Sequence, residues 1–134
     1  MHIFFILLFC LGCRGEESVI QPEEKIIRTE GGLVTLSCKY TTSSSNPYLF
    51  WYIQRTNDIP RFILSRYRYG SGENGTEFHE RFYSKLNFSA SSVPLTIQNL
   101  QVSDSAVYYC ALRTILLWND VYGDCYGDKH KHSI

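Results

Sequence analysis

The sequence predicts an all-β domain, two packed sheets connected in Greek-key order. Two observations carry that expectation. Turn signals recur about every ten residues with short alternating runs between them. The chain also holds ten Tyr, eight Phe and two Trp alongside many Ser, Thr and Val, residues that suit a pleated, half-buried surface better than a helix. No stretch reads as a convincing amphipathic helix, and there is no internal repeat. At 134 residues the length allows one domain as a prior. Lys plus Arg and Asp plus Glu each number 13, so the charge balance supplies neither a nucleic-acid footprint nor a general attraction to membrane surfaces.

Residues 1–15 read differently from the rest. Ile3 to Leu11 is a short apolar run closed by Gly12, Cys13, Arg14 and Gly15, well under the roughly 20 apolar residues that span a bilayer. Its position, and the small residues Cys13 and Gly15 before the charged pair Glu16–Glu17, mark a signal peptide cleaved after Gly15. Cys38, Cys110 and Cys125 then remain in an oxidising compartment, where disulfides persist. An odd count leaves one thiol spare or intermolecular.

The mature chain divides into short strands. Val19–Gln21 and Lys25–Arg28 form a split first strand around Pro22, and Gly31–Gly32 makes a turn. Leu33–Lys39 alternates, with Val34, Leu36 and Cys38 on one face and Thr35, Ser37 and Lys39 on the other, which fits one buried and one wet side. Thr41–Pro47 is a polar loop, Leu49–Gln54 an aromatic strand around Trp51, and Asn57–Pro60 a turn. Arg61–Arg66, Arg81–Phe88, Val93–Leu100 and Ala106–Leu112 are further strands, and Tyr69–Thr76 is a Gly/Ser/Asn loop. Two packed antiparallel sheets are the natural resting state for such a set.

Cys38, Trp51 and Cys110 lie on three different strands. Packed sheets stand about 10 Å apart, so inward cysteines on opposite sheets can bridge them. Trp51 would fill the core beside that bridge, with Leu36 and Leu95 around it. Tyr108, two residues before Cys110, is placed to return its hydroxyl to the backbone.

These residues, with Trp51-Tyr52-Ile53-Gln54, Leu95-Thr96-Ile97 and Asp104-Ser105-Ala106-Val107-Tyr108-Tyr109-Cys110, resemble the variable set of immunoglobulin domains from about Val19 to Arg113. The resemblance implies a two-sheet variable-type sandwich over residues 16–113, with C′ and C″ strands between Trp51 and Cys110. It also implies an ion pair between Arg81 and Asp104 that ties the bottom of the sandwich. Cys110-Ala111-Leu112-Arg113 looks most like a T-cell receptor alpha or delta chain. Antibody light chains and innate receptors of the variable type share the same core and stand as alternatives, as does a soluble carbohydrate-binding or adhesion module.

The function implied is recognition by three loops clustered at one end of a rigid scaffold, Thr41–Tyr48, Tyr67–Thr76 and the segment from Ala111 onward. The ligand would be a peptide displayed on a major histocompatibility molecule. Tyr48, Arg66, Tyr67, Arg68, Tyr69, Asn74, Arg113 and the serines at 43–45 are the expected contacts, since Tyr offers large area at small entropic cost and Ser and Asn offer adaptable hydrogen bonds. Tyr52, Gln54, Pro60 and Phe62 match the positions the family uses to pair with a second, beta-like variable domain. Asn74-Gly75-Thr76 and Asn87-Phe88-Ser89 are N-glycosylation sequons. The chain would act in the secretory pathway, at the cell surface within a receptor complex or secreted as this fragment, and reach a membrane only through segments absent from it.

No catalytic, cofactor or metal site is expected. There is no phosphate loop, paired-acid motif or serine elbow, and His130 and His132 sit among lysines in a solvated tail. Residues 114–134 lack the Phe-Gly-x-Gly of a joining segment: Tyr122-Gly123-Asp124-Cys125 and Tyr126-Gly127-Asp128-Lys129 only echo it. The expectation is an unrearranged or aberrantly joined variable segment, with Cys125 an incidental thiol and the last strand left with an open edge.

Overall fold

The computed structural model describes residues 2–7, 18–21 and 24–113. Among them run eleven strands: β1 His2–Leu7, β2 Ser18–Ile20, β3 Glu24–Thr29, β4 Val34–Leu36, β5 Lys39–Thr41, β6 Tyr48–Gln54, β7 Arg61–Tyr67, β8 Glu73–Asn74, β9 Phe82–Ser84, β10 Leu95–Ile97 and β11 Ala106–Arg113. The one helical piece among the described residues is a 3-10 turn at Val102–Asp104. One layer is a six-stranded sheet in the order β3-β1-β11-β6-β7-β8. The other combines the ladders β4-β10-β9 and β2-β5. They join because the Val93 N–H donates to the Cys38 carbonyl and the Tyr40 N–H to the Ser91 carbonyl, both at 3.0 Å.

Period-two patterning accounts for the layers. In β6 every second residue, Leu49, Trp51 and Ile53, is buried. Val34 and Leu36 in β4 and Leu95 and Ile97 in β10 answer from the opposite sheet. Thr35 and Thr96 lie on the outer face, their hydroxyls 3.1 Å apart. All four expected core residues, Leu36, Trp51, Leu95 and Tyr108, are fully buried.

The expected Leu33–Lys39 strand is divided. Its first half pairs with β10 and its continuation with β2, so the chain changes ladders at Ser37–Cys38 without losing alternation. The expected Arg81–Phe88 strand shortens to β9. Arg81 enters it with a left-handed φ of 67°. Downstream, Asn87 and Ser92 close a tight turn through reciprocal backbone hydrogen bonds of 2.8 and 3.1 Å. The Tyr69–Thr76 segment, expected as loop, contains β8, which pairs Glu73 with Ser65 and Asn74 with Leu64. Glycines permit that approach, because a Cβ at Gly72 would collide with the Ser65 carbonyl and one at Gly75 with that of Phe62.

The edge of β11 also departs from expectation. Part of the apolar run read as a leader forms β1, inserted between β3 and β11. It runs parallel to β11, pairing Phe5–Leu7 with Ala106–Tyr108, and antiparallel to β3 along His2–Leu7. The last strand is therefore not open over Ala106–Tyr108. Unpaired strand edges on both sides of a one-strand gap attract an extended segment, and β1 supplies one. The cleavage site expected after Gly15, and residues 114–134 with Cys125, His130 and His132, lie outside the described residues.

Candidate recognition site

The loops expected to recognise a ligand are carried on a dense frame. Cys38 and Cys110 form a disulfide joining the layers, with Cα atoms 6.3 Å apart. Cys110 stands opposite Trp51 in the β11–β6 register. The buried Trp51 indole N–H donates to the Val93 carbonyl at 2.8 Å, satisfying its one polar atom across the layers. At the far end the Tyr108 hydroxyl donates to the Asp104 carbonyl at 2.6 Å. Burial pushes that phenol well above its ordinary range, with the Asp104 charge adding to the effect. Arg81 grips Asp104 in a two-pronged contact, Nη1 to Oδ2 at 2.8 Å and Nη2 to Oδ1 at 3.1 Å. This is the expected ion pair, and it raises the Arg81 guanidinium.

Gln21 is a framework residue that sequence reasoning missed. Its amide lies flat against the β11 edge, Nε2 donating to the Tyr108 carbonyl at 2.6 Å and Oε1 accepting from the Cys110 N–H at 2.8 Å. A side-chain amide carries one donor and one acceptor end, so it stands in for a residue of a neighbouring strand just beyond where β1 stops.

The strand registers bring the three expected loops together. Tyr48, at the end of the first loop, stands opposite Tyr67 on one side and Arg113 on the other. The Tyr48 and Tyr67 rings lie 4.5 Å apart. Arg68 links the first two loops by donating Nη1–H to the Ser45 carbonyl at 3.0 Å. Its guanidinium is stacked 3.6 Å from the Phe88 ring centroid and 4.8 Å from that of Tyr69. Tyr69 itself is exposed, as is Arg113. Below them burial raises the Tyr40 hydroxyl, with the Arg68 charge acting in the opposite direction.

Two expected contact residues turn inward. Arg66 donates Nε–H to the Ser84 carbonyl at 2.9 Å, Nη1–H to the Ser65 carbonyl at 2.7 Å and Nη2–H to Asn74 Oδ1 at 2.9 Å. Asn74 Nδ2 donates to the Phe78 and Phe82 carbonyls at 2.6 and 3.2 Å. Together they staple β7, β8 and β9, which is framework work. Asn87, by contrast, is exposed; its Oδ1 accepts from the Ala90 N–H at 3.0 Å, leaving the amide nitrogen at the surface.

The outer face of the six-stranded sheet carries the residues expected to meet a partner. Tyr52 and Phe62 lie 6.1 Å apart edge to face, and Phe50, which the sequence reading did not single out, is 6.4 Å from each. Alternation from Tyr52 and Gln54 identifies Phe50 on the same face. Pro60 is exposed beside them. Gln54 is already bonded within the chain: Oε1 accepts from the Tyr109 hydroxyl at 2.9 Å and Nε2 donates to the Asp58 carbonyl at 3.0 Å. A partner's amide would share these groups rather than meet empty ones. Asp58 and Arg61 close the adjoining turn at 3.0 Å, and the hydrogen bond from Arg61 holds the Asp58 carboxyl below its usual range.

The profile of the immunoglobulin V-set domain matches residues 21–124 of this sequence. The chain belongs to the immunoglobulin V-set family. Its match continues to Asp124, past Arg113 where the sequence reading ends the domain. Within the family this V-set domain is similar to the human T cell receptor alpha variable 3, at 39% identity over 80% of the chain and 90% of that protein. The mouse T-cell receptor alpha chain V region CTL-F3 is 38% identical over 80% of the chain and 77% of its own length. The rabbit T-cell receptor alpha chain V region RL-5 is 40% identical over 81% and 77%. The resemblance to T-cell receptor alpha variable regions thus covers about four fifths of the chain. Among its described residues no helix is long and apolar enough to cross a membrane.

Proposed function

We propose that this V-set domain is the antigen-recognising variable domain of a T-cell receptor alpha-type chain. It would pair with a beta-type variable domain and read a peptide displayed on a major histocompatibility molecule, at the cell surface after passage through the secretory pathway. The observation that carries the proposal is the position of Tyr48 between Tyr67 and Arg113, which draws three loop stems to one end of a disulfide-bonded frame. Beside it the Phe50–Tyr52–Phe62 face offers the aromatic content found at the centre of protein interfaces.

The test is co-expression with a panel of beta chains, followed by sedimentation and then binding to peptide-loaded histocompatibility molecules. We expect a one-to-one heterodimer whose affinity falls at least about fivefold in Phe62→Asp, since a central aromatic anchor contributes more than about 1 kcal/mol. A chain that stays monomeric with every beta partner sinks the pairing. A heterodimer that binds no displayed peptide sinks the ligand assignment.

Of the two sequons, the proposal favours Asn87 alone as a glycan site. Transfer replaces an Nδ2 hydrogen by a sugar, and at Asn74 that nitrogen is aimed at two backbone carbonyls. Mass spectrometry of glycopeptides from the secreted protein should show occupancy at Asn87 and none at Asn74. An occupied Asn74 on folded protein would refute the inward placement as the native one.

A further inference from the structure

Between the second loop and the β9 end lies a groove of about 220 Å³ lined by Arg66, Arg68, Gly70, Ser71, Ser84 and Lys85, with Tyr67 and Leu86 completing it. Three of its residues are cationic and none is acidic. The volume is below the roughly 300–1,000 Å³ of small-molecule pockets, so it suits a side chain or two rather than a cofactor. Arg66 is half-buried, and burial lowers its guanidinium. Its hydrogen bonds within the described residues end on neutral oxygens: the carbonyls of Ser65, Ser84 and Glu73, and Asn74 Oδ1. Glu73 meets it through that backbone carbonyl, at 3.4 Å, so the charge has no carboxylate partner among the described residues.

Arg68 is differently equipped. Stacking on Phe88 and the bond to Ser45 fix the guanidinium plane and leave its Nε and Nη2 donors without a partner among the described residues. A stacked, oriented guanidinium is the fork that matches a carboxylate in two places. Lys85 is exposed and has no hydrogen bond or ion pair in the described chain. The buried Ser84 hydroxyl on the groove wall likewise has none. Cations so grouped repel one another and attract an anion that one of them alone would hold weakly.

We infer that this groove is a carboxylate-binding subsite, in which Arg68 and Lys85 capture an acidic side chain projecting from a protein ligand while Arg66 supplies a fixed positive floor. The inference rests on the reading of the second loop as ligand-facing, and it adds the chemistry of what that loop receives. It predicts an acidic residue on the ligand surface facing Gly70 and Ser71, with binding that weakens as salt rises.

The test uses the full chain, labelled with nitrogen-15 and titrated with hexaglutamate at low ionic strength. Saturable shifts are expected at the Arg68 Nε–H and at the amides of Gly70, Ser71 and Lys85. Affinity should fall at least tenfold in Arg68→Gln and at least threefold in Lys85→Gln, while Lys39→Gln, on another exposed strand, leaves it unchanged. Lys85→Gln protects the result against misfolding, because that ammonium makes no internal bond. No saturable shift, or equal losses in all three variants, overturns the subsite. Tenfold tighter binding of a sulfated tetrasaccharide to the same residues overturns the carboxylate assignment in favour of a sulfated glycan. The probe needs neither partner chain nor displayed peptide, so its outcome is separable from that of the receptor reading.

Discussion

Replacing Cys38 and Cys110 together by alanine is expected to cost the domain about 2–5 kcal/mol of stability. The bridge spans 72 residues of sequence, and closing a loop of that length restricts the unfolded chain by about 4 kcal/mol in the chain-entropy account. Both residues are buried, and Cys110 neighbours Trp51 across β11 and β6, so truncation also leaves space beside the largest core side chain. Domains of this kind are stable by only about 5–15 kcal/mol in total. The double variant should therefore unfold at a much lower urea midpoint, with a substantial unfolded fraction at body temperature. Chemical denaturation followed by tryptophan fluorescence measures it. A midpoint shift equivalent to less than 1 kcal/mol would show that packing alone holds the layers together.

Asp104→Asn is expected to be the next most damaging change, at about 3 kcal/mol, the low end for stranding one member of a buried ion pair. Asp104 is fully buried while the Arg81 side chain keeps 23% of its exposure, so water still reaches part of the guanidinium and moderates the loss. The carboxylate also accepts the Gln101 N–H at 2.8 Å, capping the turn that leads into β11. Arg81 holds a left-handed backbone, a conformation that costs a non-glycine residue about 1–3 kcal/mol and persists where its surroundings enforce it. The Asp104 fork, with the Gln98 and Asn99 carbonyls at 3.2 and 3.1 Å from Nη1, does that enforcing. A double-mutant cycle with Arg81→Met should show the pair of changes costing clearly less than their sum. Strict additivity would mean that the two charges do not act together.

Features with period two could be read from the sequence, because alternation and burial report the same geometry. Leu36 with Cys38, Trp51 with Ile53, and Leu95 with Ile97 fall on the inner faces for this reason; the Tyr108 hydroxyl bond follows from its place two residues before Cys110, and the Arg81–Asp104 pair from the family resemblance alone. Gln21 could not be read that way. Its partners lie 87 and 89 residues further along, and a glutamine near a proline carries no local signal of burial. β8 escaped because two polar residues, Glu73 and Asn74, have no pattern to show; the glycines that admit them looked like loop residues. Arg66 and Asn74 have the composition of a binding loop, and only the β7–β8 pairing shows that they are tied to backbone carbonyls. The placement of β1 depends on two strand edges that no window of sequence displays together.

The long reach of these links bears on how the polypeptide is made. Gln21 answers Cys110, Cys38 answers Cys110, Trp51 answers Val93 and Arg55 answers Ser103, at separations of 89, 72, 42 and 48 residues. Contacts so distant along the chain form slowly, because loop closure precedes their reward. A nascent chain that has emerged only as far as Asp104 holds Val93 for its indole, but Gln21 and Cys38 still wait on a strand that has not emerged. The aromatic interior stays exposed through that interval, the condition in which chains aggregate or recruit chaperones. Translation pace and oxidation timing around Ala106–Arg113 should therefore govern yield more than the final stability does.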